Sequence, residues 1–272
     1  MSGSEEWINK LFIEKADLFL KVLNERWKNS EEEAGYIIKL LDKLEVSKDA
    51  QILEVGCGNG RIVINLAKHG YVVYGIDISP VLIDDAKKKA VEHSISERVK
   101  FYVGDARKLG EIFPNKKFNV IIMVWSSVLG YYTDENIDIE ILRQCRLVSD
   151  DDGYLLILNT ANRDYIAFIN SVIGVRSFVE HLDEDTVLIE NPCFDHKTSI
   201  ITNTWQFYRK MENKDLKFID EVSFKFRVYS LHEVIKLAEQ AGWQYVEAYK
   251  RLSTLEPFTP TFSGLNIVFK AR

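Results

Sequence analysis

Three glycines at alternate positions, Gly56, Gly58 and Gly60, follow a short apolar run, and a carboxylate, Glu54, stands two places before the first of them. A helical pattern with apolar residues at 62, 63, 64 and 66 begins at once after the last glycine. Glycine at a strand-to-helix turn lets the backbone bend sharply and lets a ligand approach where a Cβ would collide. The helix start beyond it offers free N–H groups and a positive dipole end to an anionic ligand group. The run therefore has the makings of a nucleotide- or cofactor-binding turn. Its spacing is G-x-G-x-G, whereas the dinucleotide fingerprint would need glycine at position 61, where Arg61 stands. A carboxylate inside the strand suits a pyrophosphate poorly and suits a ligand carrying an ammonium and a sulfonium. A second apolar run, residues 71–76, ends in Asp77, the right distance on for a carboxylate that pairs with ribose hydroxyls.

Loop, Glu54 and Asp77 in register resemble motifs I and II of the class I S-adenosylmethionine-dependent methyltransferases, with the loop as Glu54-Val-Gly-Cys-Gly-Asn-Gly60. The resemblance implies that S-adenosylmethionine is the cofactor and S-adenosylhomocysteine its product. It implies that Asp77 accepts from the ribose, that Ile78 lies on the adenine face, and that Asp105, beside Ala106, receives the adenine amine. Ligands of an open parallel sheet bind beyond the carboxyl ends of its strands. That rule nominates Gly56, Cys57, Gly58 and Gly60, then Asp77 and Ile78, Asp105 and Ala106, Trp125 and residues 126–132, and residues 159–165. The competing reading of Asp77 and Asp105 is that of loop acids capping local backbone. Cys57 is read as a small side chain filling the turn, not as a nucleophile.

After the fourth strand the chain has no Asn-Pro-Pro-Tyr or Asp-Pro-Pro-Tyr, the family's device for a base amine, which argues against DNA base methylation. Residues 126–134, Ser-Ser-Val-Leu-Gly-Tyr-Tyr-Thr-Asp, and Asn159-Thr-Ala-Asn-Arg-Asp164 are similar instead to a bacterial and archaeal small-molecule branch. Residues 227–243 and Pro257-Phe-Thr-Pro260 continue the likeness. The arginine pair often found before that branch's last strand is here Gly264-Leu265, so its contacts do not carry over. The acceptor is expected to be a small molecule bearing an amine or hydroxyl. Its candidate contacts are Tyr131, Tyr132, Asn162, Arg163 and Tyr165, with pocket-wall packing as the alternative for the two tyrosines. His196 reads as a solvated turn residue and no side chain stands out as a base. In-line displacement from a sulfonium tolerates that, because positioning alone supplies on the order of 7–11 kcal/mol for a well-oriented pair. Three rivals are an NAD(P)-dependent oxidoreductase, a non-catalytic cofactor-binding subunit, and a methyltransferase acting on protein or tRNA.

The elements that must position these residues alternate strand and helix from residue 51, the pattern of a parallel sheet with covering helices. Strands are expected at 51–55, 71–76, 99–103, 118–124, 154–158, 245–249 and 266–270. Between residues 199 and 229 the pattern changes to period two. There Thr202, Thr204, Gln206 and Tyr208 share one face, expected to roof the acceptor, and Ile201, Trp205 and Phe207 the other, expected to be core. The expected fold is α/β, a doubly wound seven-stranded mostly parallel sheet with an N-terminal helical cover and a small antiparallel β insert. Its parts are residues 1–45 (helical cover), 46–175 (cofactor-binding core), 176–230 (antiparallel insert) and 231–272 (last helix and strands). The chain's 272 residues, 46% hydrophobic and 28% charged, suit a well-cored protein. A net charge of −6 gives no pull toward nucleic acid or anionic membrane. Cys57, Cys145 and Cys193 lie far apart, which fits a reducing compartment without a disulfide framework or metal site. Glu5, Glu6 and Trp7 stand where a signal peptide needs basic residues, and no apolar run nears ~18 residues, so a cytoplasmic protein outside the membrane is expected.

Overall fold

The structure, a computed structural model, describes residues 3–125, 128–174 and 176–272. The chain opens with α1 (Gly3–Asn9), a π-helical turn (Lys10–Glu14), α2 (Ala16–Trp27) and α3 (Ser30–Lys43). The α/β core follows: β1 (Gln51–Val55), α4 (Arg61–Lys68), β2 (Val72–Asp77), α5 (Pro80–Glu92), β3 (Val99–Val103), α6 (Leu109–Ile112), β4 (Phe118–Val124), α7 (Glu135–Val148), β5 (Ser149–Ala161) and α8 (Arg163–Ile173). Local chemistry sets the helix starts. Ser79 Oγ accepts from Leu82 N at 3.4 Å with Pro80 in the first turn, and Asp134 and Asn162 cap α7 and α8 through their side chains. β4 is buried on both faces over five consecutive residues, which is why its sequence is a continuous apolar run.

The chain then leaves the main sheet for β6 (Phe178–His181), β7 (Thr186–Glu190), β8 (Cys193–Asp195), β9 (Ile200–Lys210) and β10 (Leu216–Arg227). It returns through α9 (Leu231–Gln240), β11 (Trp243–Arg251), β12 (Glu256–Pro257) and β13 (Gly264–Ala271). A capping box between Ser230 and Glu233 marks the re-entry.

The main sheet has the order β12-β11-β13-β5-β4-β1-β2-β3, eight strands where seven were expected. β1 to β5 are parallel, and β13 runs antiparallel between β5 and β11. The eighth strand is a two-residue pairing of Glu256 and Pro257 with β11, formed as the proline-containing loop folds back on the edge. Two buried clusters cover the sheet, one around Phe118, Leu155, Trp243 and Phe269, the other around Ile37, Ile62, Val63 and Val120. Residues 150–153, whose composition reads as a turn, lie inside β5, where the pairing with β4 shifts register. The second sheet, expected as a small antiparallel insert, is antiparallel and five-stranded, with order β10-β9-β7-β6 and β8 on the side of β9.

Candidate active site

The glycine loop lies where β1 meets α4, beside the end of β2. Gly56 N and Cys57 N both donate to Ile76 O, at 2.8 and 3.0 Å. Gly58 N donates to Asp77 Oδ2 at 2.8 Å, and Ser79 N to Asp77 Oδ1 at 2.9 Å. The loop and the acid thus brace one another. Gly58 has φ +54° and an added Cβ would sit 2.8 Å from Leu23 Cδ1; Gly60 has φ +76° and its Cβ would sit 2.8 Å from Phe101 Cζ. Both positions favour glycine for conformation, and a Cβ at either would push a side-chain tip aside. Cys57 is buried, as a turn-filling side chain should be, and burial holds its thiol well above the ordinary range.

Glu54 points from β1 into the site and is 3% exposed. Its Oε2 has no hydrogen-bond partner among the described residues. Burial raises its pKa to about 8, only partly offset by the charge of Arg61. A buried carboxylate oxygen left without a donor fits a ligand that brings one, such as an ammonium.

Asp105, after β3, caps the next turn through Arg107 N at 2.8 Å and receives the Arg107 guanidinium at 2.6 to 3.1 Å. Burial alone would raise its carboxyl; the bonds and charge of Arg107 outweigh that and hold it below the usual range. Arg107 also pairs with Glu5 of α1 and lies over the Tyr132 ring at 4.7 Å. Trp125, with φ +65°, has the guanidinium groups of Arg26 and Arg61 each 4.9 Å from its ring centroid. Its Nε1 donates to Glu33 Oε1 at 3.0 Å, as does Asn159 Nδ2 at 2.6 Å, while Glu33 pairs with Arg61. Helix α3 is thereby locked to the ends of β4 and β5 and to the start of α4.

One cavity of about 570 Å³ joins these features to the underside of the antiparallel sheet. Its wall includes Glu54, Gly56, Cys57, Gly58, Asp77, Ile78, Asp105, Ala106, Trp125, Tyr131 and Tyr132. Gly60 is not among the residues that line it. Ser126 and Ser127 fall outside the described residues. Burial raises the Tyr131 hydroxyl far above its usual value and that of Tyr132 to about 12, so both are neutral donors at pH 7. No histidine is among the described residues that line the cavity.

Asn162, Arg163 and Tyr165 are not brought to the cavity, and the acceptor role expected of them does not fit where they lie. Asn162 is fully buried, gives its Nδ2 to Pro260 O and Phe262 O at 3.0 and 2.7 Å, and caps α8 through Asp164 N. Arg163 Nε donates to Ser199 Oγ at 3.2 Å and its Nη1 to Asp164. The stretch is a helix start, not a free loop. The face of the insert expected as roof is also turned over: Asn203, Trp205, Phe224 and Phe226 line the cavity, whereas Thr202 is exposed and Thr204 meets Ser223 at 2.9 Å. The cavity faces the N-terminal helices as well, through Trp7, Ile8, Leu11, Phe12, Phe19 and Val22. Trp7 lies 5.2 Å from Tyr131 and 5.5 Å from Phe224, ring centroid to centroid. The helices therefore serve both as a packing stripe and as a wall of the site. Glu190 and Asn203 went unread in the sequence; the aromatic alternation of β9 and β10 was the available signal.

The model of a family described as "Methyltransferase domain" matches residues 46–228, from just before β1 to just past β10. The chain belongs to that family. The methyltransferase domain is 26% identical over 149 residues to a ubiquinone biosynthesis O-methyltransferase of Coxiella burnetii, covering 55% of this chain and 59% of that one. The chain thus spans about six tenths of the length of that curated relative. A probable chloroplastic tocopherol O-methyltransferase of Oryza sativa subsp. japonica is 39% identical over 84 residues, 30% of this chain and 22% of that one. Among solved structures, the CcbJ methyltransferase of Streptomyces caelestis superposes with a TM-score of 0.72 at 19% identity, covering 89% of each chain. CalS10, an amino pentose methyltransferase from Micromonospora echinaspora solved with S-adenosylmethionine bound, superposes with a TM-score of 0.68 at 13% identity over 94% of this chain and 97% of that one. At those identities the likeness is one of fold.

Proposed function

We propose that this methyltransferase domain binds S-adenosylmethionine in the glycine loop and transfers its methyl group to an amine or hydroxyl of a small molecule. The observation that carries the reading is the Glu54 carboxylate, buried beside a positive-φ glycine turn with one oxygen lacking a donor. An ammonium pairs with the ionised form of that carboxyl, a form that a neighbouring pyrophosphate would disfavour further. Glu54 and the loop residues Gly56, Cys57 and Gly58 would hold the amino-acid end, with Gly60 giving α4 its close approach. Asp77 has lone pairs left for the ribose after bracing Gly58 N and Ser79 N, and Ile78, Ala106 and Asp105 would flank the adenine. Asp105 must share its carboxylate with Arg107 to accept the adenine amine. Trp125, Tyr131 and Tyr132 also line the cavity and would face the acceptor.

S-adenosylmethionine supplies a methyl group on a sulfonium, an activated leaving group. The chain's contribution is to align the acceptor and to exclude water, which the helical cover and the aromatic wall are built to do. The relatives named for O-methylation and the fold neighbour named for an amino pentose both act on small molecules by name, which accords with a cavity of about 570 Å³. Assaying methyl release from labelled S-adenosylmethionine across pooled metabolites tests the reading. Transfer to a small-molecule fraction is expected. Transfer only to protein or tRNA would overturn the acceptor class.

A further inference from the structure

The end of the cavity away from the glycine loop carries a polar group among its aromatic rings. Glu190, the last residue of β7, pairs in register with Trp205 of β9, and Asn203 lies two residues before Trp205 on the same face. Glu190 Oε2 accepts from Trp205 Nε1 at 2.7 Å and from Asn203 Nδ2 at 3.0 Å. Those bonds fix the amide, because flipping Asn203 would set its oxygen against the carboxylate. Asn203 is 6% exposed and its Oδ1 is buried without a partner among the described residues. All three side chains line the cavity. The polar end thus presents acceptors: a carboxylate already fixed by two donors, and an amide oxygen with none among the described residues.

The charge of the wall narrows the ligand further. Its acids are Glu54, Asp77, Asp105 and Glu190. Its guanidinium groups are ion-paired: Arg26 grips Glu180 with both Nη atoms, at 3.0 and 3.1 Å, and Arg61 pairs with Glu33, while the buried Arg26 Nε and Trp7 Nε1 have no partner among the described residues. A carboxylate or phosphate entering here would lose its hydration and meet like charge. A flat apolar body suits the ring-lined space between Trp7, Trp205 and Phe224.

We propose that Glu190 and Asn203 form the acceptor-orienting site, and that the acceptor is an uncharged or cationic molecule with a flat apolar body and an N–H or O–H donor directed at them. This rests on the proposed function and names the acceptor chemistry within it. Equilibrium dialysis of the full chain saturated with S-adenosylhomocysteine tests it, with 2-naphthol, 2-naphthylamine, 2-naphthoate and naphthalene as probes. The naphthol and the amine should bind roughly tenfold or more tighter than naphthalene, as a hydrogen bond to a charged group implies. Naphthoate should bind no tighter than naphthalene. Glu190→Gln should erase the donors' advantage while leaving naphthalene and S-adenosylhomocysteine binding at the wild-type level. Asn203→Leu should also weaken the donors, because it removes both the free amide oxygen and the Nδ2 that holds Glu190. If S-adenosylhomocysteine binds but the donors bind no better than naphthalene, or naphthoate binds best, the acceptor-orienting site is overturned and the cofactor reading stands. If S-adenosylhomocysteine does not bind, the proposed function falls and this inference with it.

Discussion

Asp77 was open to two readings, ribose acceptor or loop brace, and its geometry leaves room for both. Its carboxylate oxygens take the backbone N–H groups of Gly58 and Ser79, and the residue lines the cavity. Asp77→Ala should weaken S-adenosylhomocysteine binding by about 1.5–3 kcal/mol, roughly 10- to 150-fold, measured by calorimetry. An unchanged affinity would mean that the carboxylate serves the loop alone. Glu54 makes a prediction about pH. Its folded-state pKa, raised by burial from an ordinary 4.5 to about 8, means the free folded chain holds a proton that the unfolded chain gives up above pH 4.5. Its contribution to stability is therefore full below pH 4.5 and declines as pH rises through 8. An ammonium ligand favours the ionised form, so binding near pH 7 should release that proton. Calorimetry in buffers of different ionisation enthalpy should detect the release in wild type and find it missing in Glu54→Gln. These acids were legible in the sequence because each sits at a strand end, where topology alone places it in the site. Asn162 and Arg163 also follow a strand, but an Asn immediately ahead of a helical stretch reads as well for an N-cap, and capping is its role here.

At the scale of elements, the loop after β4 and the antiparallel sheet are the parts that shape the acceptor end. Gly130, with φ +80°, passes so close to β10 that an added Cβ would lie 2.1 Å from Arg227 O. Its N donates to Asp138 Oδ1 at 2.8 Å, and its O accepts from Arg227 N at 2.9 Å. Gly130→Ala should cost more than about 1 kcal/mol in thermal unfolding and displace Tyr131 and Tyr132 from the cavity. A variant as stable as wild type would show that the strand yields. On β9, Phe207 is fully buried against Val22, Leu182 and Leu188, so Phe207→Ala should cost ~3–5 kcal/mol. Thr202→Ala, on the outward face, should stay within about 0.5 kcal/mol. Equal effects at the two positions would contradict the assignment of faces. Period-two alternation disclosed that β9 has two faces, but not which one looks inward. That is decided by helices about 180 residues earlier in the chain, and such long-range pairing leaves no local periodicity to read. Strands β1 to β4 were legible to within a residue, β4 because burial on both faces writes an uninterrupted apolar run, whereas β5 extends beyond the expected 154–158 at both ends. The eighth strand was not, since two residues against an edge leave no pattern.

For the molecule as a whole, the N-terminal helices and the antiparallel sheet act as one cover over the carboxyl ends of the main sheet. Lys15–Asp220, Lys21–Asp183 and Arg26–Glu180 tie helix to sheet, and the rings of Phe19 and Trp205 stack between them, 6.1 Å apart. The same helices reach the core through Arg107–Glu5, Arg61–Glu33 and Leu23 against Gly58. Among the described residues no helix is long and apolar enough to cross a membrane. The central claim is that the glycine turn beneath this cover holds S-adenosylmethionine, and titration calorimetry tests it on the full chain and on Gly58→Val. S-adenosylhomocysteine should bind the wild type, NAD should give no binding heat, and a Gly58→Val chain that keeps its circular dichroism should bind neither. Wild-type affinity for S-adenosylhomocysteine in a folded Gly58→Val protein, or binding of NAD in its place, would contradict the account.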